Sequence, residues 1–187
     1  MIQKVSSYFN RVTSWWGILL CLILFIFVVS YVFPTFSRIL SIPEGAEKID
    51  TQTYYSSEKL YQVISKLDKT ARRGYAISHM TADIIFPVVY TFLFGMMISI
   101  TFRMIFPEGS WFKYLNLMPV GLFVFDIIEN TLLSVLLLSY PERYEFLAFT
   151  AGVVTFIKWI FSGLTVILAV GGILIWVFLK VKRFINR

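Results

Sequence analysis

The sequence contains a single cysteine, Cys21, and a single histidine, His79, among its 187 residues. One cysteine excludes an intramolecular disulfide, a C-x-x-C redox pair and a zinc site built from cysteines. One histidine excludes the histidine clusters of many metal sites. No serine nucleophile motif or glycine-rich phosphate loop accompanies the acidic residues. We therefore predict no bound metal and no cofactor, and the pattern does not favour an enzyme.

Charged residues are also scarce, at 15% of the chain, whereas 58% of the residues are hydrophobic and 18% are aromatic. A soluble domain of this length would carry about 25% charged residues. The surplus apolar surface must therefore face lipid, and we predict an integral membrane protein. The net charge of +6 is explained by membrane topology and by attraction to anionic lipid headgroups. It does not indicate a nucleic-acid partner.

Four apolar stretches predict an all-α, polytopic membrane protein that forms one transmembrane domain over residues 1–187. A helix rises about 1.5 Å per residue and the hydrocarbon core is about 30 Å thick, so each stretch can cross most or all of it. We expect the first stretch to be an uncleaved signal anchor whose helix ends at Pro34. The predicted spans, arranged as a four-helix bundle, are residues 17–33, 80–102, 114–138 and 147–179.

The basic residues nearest the spans predict the orientation. They fall on one side of the membrane if both termini share that side, which the positive-inside rule makes the cytoplasm. We therefore expect a multi-pass protein of the plasma membrane, which is the inner membrane if the source is bacterial. The residues concerned are Lys4, Arg11, Arg103, Lys113, Lys180, Lys182, Arg183 and Arg187.

The extracytoplasmic loop at residues 34–79 is too long to be a simple connector. Within it, Leu60, Val63, Ile64 and Leu67 recur at helical spacing among charged residues. This pattern predicts an amphipathic helix over about residues 57–72, on the outer membrane surface or across the mouth of the bundle. The helix either contributes to function or only covers the bundle.

Several polar side chains lie within the predicted spans, where an ionisable group costs a few kcal/mol and usually faces the bundle interior. Helical spacing places the acids of the third span on one face, together with the asparagine that follows them. We predict that these side chains converge in the outer half of the bundle as one ligand-binding cluster. Its members are Asp83, Tyr90, Asp126, Glu129, Asn130 and Lys158.

The charges of this cluster do not balance, because three carboxylates face one ammonium. Another carboxyl must then be protonated or be neutralised by an external cation. Such a site can bind or conduct a proton or a cation, or recognise an amine-bearing ligand or a polar lipid headgroup. Arg72 and Arg73, with His79, are predicted to contact a headgroup at the mouth.

A purely structural interpretation of the same residues also stands. Asp83 can cap its helix, Lys158 can extend to the membrane surface, and Asp126 with Asn130 can join helices through hydrogen bonds.

The motifs around these residues resemble an uncharacterised family of small four-helix bacterial integral membrane proteins. The similarity rests on Arg73-Gly74-Tyr75, on Asp83-Ile84-Ile85-Phe86-Pro87 with Tyr90, and on Pro119 followed by Asp126-Ile127-Ile128-Glu129-Asn130. It covers about residues 61–133. The resemblance implies a shared architecture and a shared polar site, and it implies no chemistry.

Three functions fit the sequence, in decreasing order of support. The first is binding or transport at the polar cluster, with membrane lipids as surroundings. The second is a non-catalytic accessory or assembly subunit that contacts another membrane protein or a second copy of the chain. The third is a lipid-modifying enzyme that uses a carboxylate as a general base.

Overall fold

The computed structural model describes residues 2–40, 42, 49–107 and 109–186. Over these residues the chain is helical and contains no strand. Short 3₁₀ segments lie at Ile49–Thr51 and Trp111–Leu117. The α-helices are α1 (Ile2–Val12), α2 (Trp15–Phe27), α3 (Phe33–Ile39), α4 (Ser57–Ser65), α5 (Lys69–His79), α6 (Ala82–Ile105), α7 (Met118–Ser139) and α8 (Glu145–Ile185).

Four helical segments are long and apolar enough to cross a membrane: Trp15–Ile39, Lys69–Ile105, Trp111–Ser139 and Glu145–Ile185. The prediction of four such helices is confirmed, although every segment is longer than predicted. The extension is largest in the second segment, Lys69–Ile105, which has 37 residues where 80–102 was predicted. Helix α8 is the longest of the described helices, and its 41 residues amount to about 60 Å. In a membrane, a helix of this length would exceed the hydrocarbon core and would have to tilt or project beyond it.

The prediction that Pro34 ends the first span is wrong. A π-helical turn at Val28–Val32 connects α2 to α3, and Pro34 stands in the first turn of α3. A proline leaves a backbone carbonyl of the preceding turn without its N–H partner, and a local π-helical turn lets an apolar helix satisfy that carbonyl. The helix therefore continues to Ile39.

The amphipathic pattern over residues 57–72 forms two helices rather than one. The Ser56 hydroxyl caps α4 by accepting from Lys59 N at 3.2 Å. Asp68 then caps α5 by accepting from Ala71 N at 2.7 Å, which ends one helix and starts the next. The apolar face of α4 is buried against α7 and α8 through Leu60, Tyr61, Val63 and Ile64.

The long helices pack around α6, α7 and α8, each of which contacts the other two, while α2 packs on α6 and α5 on α7. No residue of α2 itself is buried. Only 6% of the apolar stretch of the first span is buried, compared with 61% for the span that contains α6. Most of the first span therefore presents its apolar side chains outward.

Helix α1 and the last turns of α8 lie at one end of the molecule, here named the termini end. The Trp15 and Trp176 rings are 5.8 Å apart, and Arg103 Nη1 donates to the Asn10 carbonyl at 3.4 Å. Helix α1, which the sequence analysis did not predict, is held there by the buried Asn116, whose Nδ2 donates to Ser6 O at 3.3 Å. The opposite end, with residues 49–57, α4, α5 and the turn before α8, is named the loop end.

Candidate functional site

Lys158 of α8 brings two acids of α7 together. Its Nζ forms an ion pair with Glu129 Oε2 and lies 3.5 Å from Asp126 Oδ1. Nζ also donates to the backbone carbonyl of Asp50 at 3.2 Å. Asp126 and Glu129 reach the same ammonium because residues three apart share one face of a helix. The term Lys158 cluster refers below to Lys158, Asp126 and Glu129.

Glu129 lies on the buried side of the Lys158 cluster and has no exposed surface. Its Oε1 accepts from the Thr155 hydroxyl, which also lies 3.1 Å from Tyr55 Oη. A threonine hydroxyl has one proton, so Tyr55 supplies the proton for its contact when Thr155 donates to Glu129. Burial raises the pKa of the Tyr55 phenol well above its usual value, which keeps that proton in place.

Asp126 lies on the more accessible side of the cluster. Its Oδ2 accepts from the Tyr90 hydroxyl of α6 at 2.9 Å. Polar contacts therefore run without a break from Tyr55 through Thr155, Glu129, Lys158 and Asp126 to Tyr90. This chain links the loop end of the molecule to α8, α7 and α6, and such connected networks restrict the positions of all their members.

The Lys158 cluster borders a cavity of about 300 Å³ at the loop end. The side chains of Lys158 and Asp126 are 12% and 15% exposed, whereas that of Glu129 is fully buried. The cavity therefore offers access to two members of the cluster and not to the third. Its lining residues are Phe33, Ser37, Ile42, Asp50, Thr51, Tyr75, Ser78, His79, Asp83, Phe86, Asp126, Asn130 and Lys158.

Asp83 and Asn130 line the same cavity, but neither contacts Lys158 through a hydrogen bond or ion pair within the described residues. Asp83 Oδ2 lies 3.0 Å from His79 Nδ1 and accepts from the Ser78 hydroxyl at 3.5 Å. The Asn130 side chain donates to the Asp83 backbone carbonyl at 2.9 Å, which joins α7 to the start of α6. The acids therefore form two groups across one cavity rather than the single cluster that was predicted.

Two buried polar atoms at this cavity have no hydrogen-bond partner among the described residues. They are Tyr75 Oη and His79 Nδ1, in side chains that are 8% and 3% exposed. His79 Nδ1 is close to the Asp83 carboxylate but is not aligned with it for a hydrogen bond. A buried polar group without a partner costs about 1–3 kcal/mol. His79 Nδ1 still has the charge of Asp83 beside it, so among the described residues Tyr75 Oη is the atom without a polar partner, and a partner for it can only bind in the cavity.

The two arginines predicted at the mouth are not among the residues that line the cavity. Arg72 Nη1 donates to the Leu67 carbonyl at 2.5 Å, and its guanidinium lies 4.8 Å from the centre of the Tyr140 ring. Arg73 is exposed. The Asp68 cap that starts α5 explains the difference, because it sets a helix register in which Arg72 folds back onto the preceding loop.

Sequence reasoning missed Asp50, Tyr55 and Thr155. Thr155 could have been found, because it lies three residues before Lys158 and therefore on the same face of α8. Asp50 and Tyr55 gave no comparable signal, since they reach the site from an irregular loop about 100 residues away in sequence.

Comparison of the chain with protein-family models, with curated proteins and with solved structures gives no match. The resemblance noted from the motifs therefore stays a prediction.

Proposed function

We propose that this chain is a four-helix membrane protein that binds or conducts a polar species, namely a proton, a cation or a small polar ligand, at the Lys158 cluster. The observation that carries the proposal is the opening of a buried ammonium–dicarboxylate group onto a cavity. Ionisable side chains within a span are expensive and usually mark a ligand or ion pathway.

Two features support binding over simple helix adhesion. A group that only joins helices would be satisfied by its neighbours, as Glu129 is by Lys158 and Thr155. Tyr75 Oη is buried without a hydrogen-bond partner among the described residues, and Asp126 faces the cavity beyond its bond to Tyr90. The accessory-subunit and lipid-modifying alternatives receive no comparable support from the described residues, and we do not propose them.

The proposal also states that the four apolar helices form a bundle in the membrane and that the termini end faces the cytoplasm. The termini end carries Lys180, Lys182 and Arg183 on the last turns of α8, and excess basic charge favours the cytoplasm. The loop end, with the cavity and α4, then faces outward. Because the cavity lies at this end, a ligand reaches the Lys158 cluster from the extracytoplasmic side. Helix α4 packs on the outer ends of α7 and α8.

Cysteine labelling tests the orientation with little background, because Cys21 is the only native thiol. In a Cys21→Ser chain, we expect a membrane-impermeant maleimide to label Glu142→Cys in intact cells. Lys182→Cys should react only after permeabilisation, since both positions are exposed and only the membrane separates them from the reagent. The reverse pattern would contradict the proposed orientation.

The function is tested by Asp126→Asn and Glu129→Gln, which keep the side-chain shapes and remove the charges. Two readouts are made on protein extracted in mild detergent: native mass spectrometry for a bound small molecule, and proton or cation flux after reconstitution into liposomes. We expect the wild type to give a positive result in at least one readout, and both variants to lose it.

Glu142→Gln is the matched control, because Glu142 is an exposed acid at the same end of the molecule and does not line the cavity. It should retain the wild-type result. The proposal is wrong if the wild type shows neither bound ligand nor flux, if the variants behave like the wild type, or if both variants fail to accumulate as folded protein.

A further inference from the structure

Negative charge is in excess around the cavity among the described residues. Asp50, Asp83 and Asp126 line it, and Glu129 lies directly behind Lys158. Lys158 and His79 are the bases, so four carboxyl groups face two bases. With His79 protonated, an excess of two negative charges remains when every acid is ionised, and a buried excess of this kind favours a cationic occupant.

Lys158 and His79 together cannot neutralise all four carboxyl groups. The Lys158 ammonium is already engaged by Glu129, Asp126 and the Asp50 carbonyl. His79 Nδ1 lies 3.0 Å from Asp83 Oδ2 and pairs with it when the imidazole is protonated. Asp83 has no lysine or arginine partner within the described residues, and it lines the cavity together with Tyr75, whose hydroxyl is unpartnered.

The unpartnered hydroxyl of Tyr75 favours a donor-rich ligand. An ammonium group has three N–H donors and no acceptor. Tyr75 Oη can accept a hydrogen bond and has no partner among the described residues. The Tyr75 oxygen and the Asp83 carboxylate therefore provide acceptors in the lining of the cavity. A ligand with only acceptor atoms would add no donor for the Asp83 carboxylate.

The rest of the lining indicates an organic cation rather than a metal ion. Within the described part of the chain, no three His, Cys, Asp or Glu side chains form a group that could hold a metal ion. Phe33, Tyr75 and Phe86 line the same space, and aromatic rings attract cations and accept apolar groups. A volume of about 300 Å³ is at the lower end of the range for ligand pockets, about 300–1,000 Å³.

We infer that the cavity binds a small primary amine in its ammonium form, with the ammonium at Asp83 and Tyr75 and an apolar portion against the aromatic side chains. This inference rests on the proposed function and names the ligand class of the same site. Lys158 then holds Asp126 and Glu129 in place, and Asp83 supplies the charge that selects the ligand.

Four probes test the inference: three four-carbon molecules of similar size, namely n-butylammonium, n-butanol and butyrate, and the potassium ion as a cation without N–H donors. The detergent-solubilised full chain is titrated with each, and the thermal unfolding midpoint and the heat of binding are measured. We expect n-butylammonium to raise the midpoint saturably, and the other three to have no saturable effect, because they lack either the positive charge or the directed N–H donors. Asp83→Asn should weaken n-butylammonium binding at least tenfold.

Glu142→Gln again serves as the control and should bind n-butylammonium like the wild type. Since Asp83→Asn could lose binding by unfolding, its midpoint without ligand must stay near that of the wild type. If it does not, Tyr75→Phe, which removes only the unpartnered hydroxyl, replaces it and should also weaken binding.

The outcomes separate this inference from the proposed function. Equal effects of n-butanol and n-butylammonium, or saturable binding of butyrate or potassium in place of the amine, would overturn the amine assignment and leave a binding site of another class. Unchanged amine binding by Asp83→Asn would also overturn it. If no probe binds, and the wild type shows neither a bound molecule nor flux, both proposals fail.

Discussion

Replacing Lys158 with methionine is expected to lower the free energy of unfolding by about 3–5 kcal/mol, the usual cost of removing one partner from a buried ion pair. Methionine keeps the length and apolar character of the side chain but leaves Glu129, which has no exposed surface, without its countercharge. Asp126 and the Asp50 carbonyl lose the same partner. Thermal unfolding in detergent measures the effect as a lower midpoint.

The double variant Lys158→Met with Glu129→Gln separates lost charge pairing from lost packing. Removing both charges of a buried pair is often close to neutral, so the double variant should recover much of the stability that Lys158→Met loses. Lys182→Met, an exposed lysine on the same helix, should change the midpoint little. An unchanged midpoint for Lys158→Met would show that the ion pair contributes nothing to the folded state.

The four apolar helices that could span a membrane could be predicted because their signal is local. An apolar run long enough to cross most or all of the hydrocarbon core leaves few alternatives to a helix. Helix ends are weaker signals, as Pro34 illustrates: the helix passes through this proline because a π-helical turn precedes it. That turn has no sequence signature that would have identified it.

The candidate site could be predicted only where its residues share a helix face. Asp126 and Glu129 follow the spacing of α7, and Lys158 is conspicuous as a lysine within an apolar run. Asp50 and Tyr55 could not be predicted, because an irregular loop carries no period. Their positions depend on how the loop end packs against α8, that is, on contacts between side chains and backbone that are far apart in the sequence.

The packing of the loop end against α8 is most sensitive to substitution at Gly152, so Gly152→Ala is the second variant with a large expected effect. A Cβ built at Gly152 would collide with the backbone carbonyl oxygen of Tyr55. Alanine favours a helix over glycine by up to about 1 kcal/mol, but a backbone atom cannot move aside as a side chain can. We expect a net loss of about 1–3 kcal/mol, typical of overpacking, seen as a lower thermal unfolding midpoint.

Gly163→Ala is the matched control, because it lies on the same helix and a Cβ built there meets nothing within 4 Å. It should not lower stability, and the helix preference of alanine should raise it by up to about 1 kcal/mol. Displacement of Tyr55 would also disturb its contact with Thr155 and, through the same loop segment, the Asp50 carbonyl that accepts from Lys158. Gly152→Ala should therefore weaken n-butylammonium binding as well, whereas Gly163→Ala should not. Equal stability and equal binding for the two variants would show that the loop end is not held against α8 as the contacts of Tyr55 indicate.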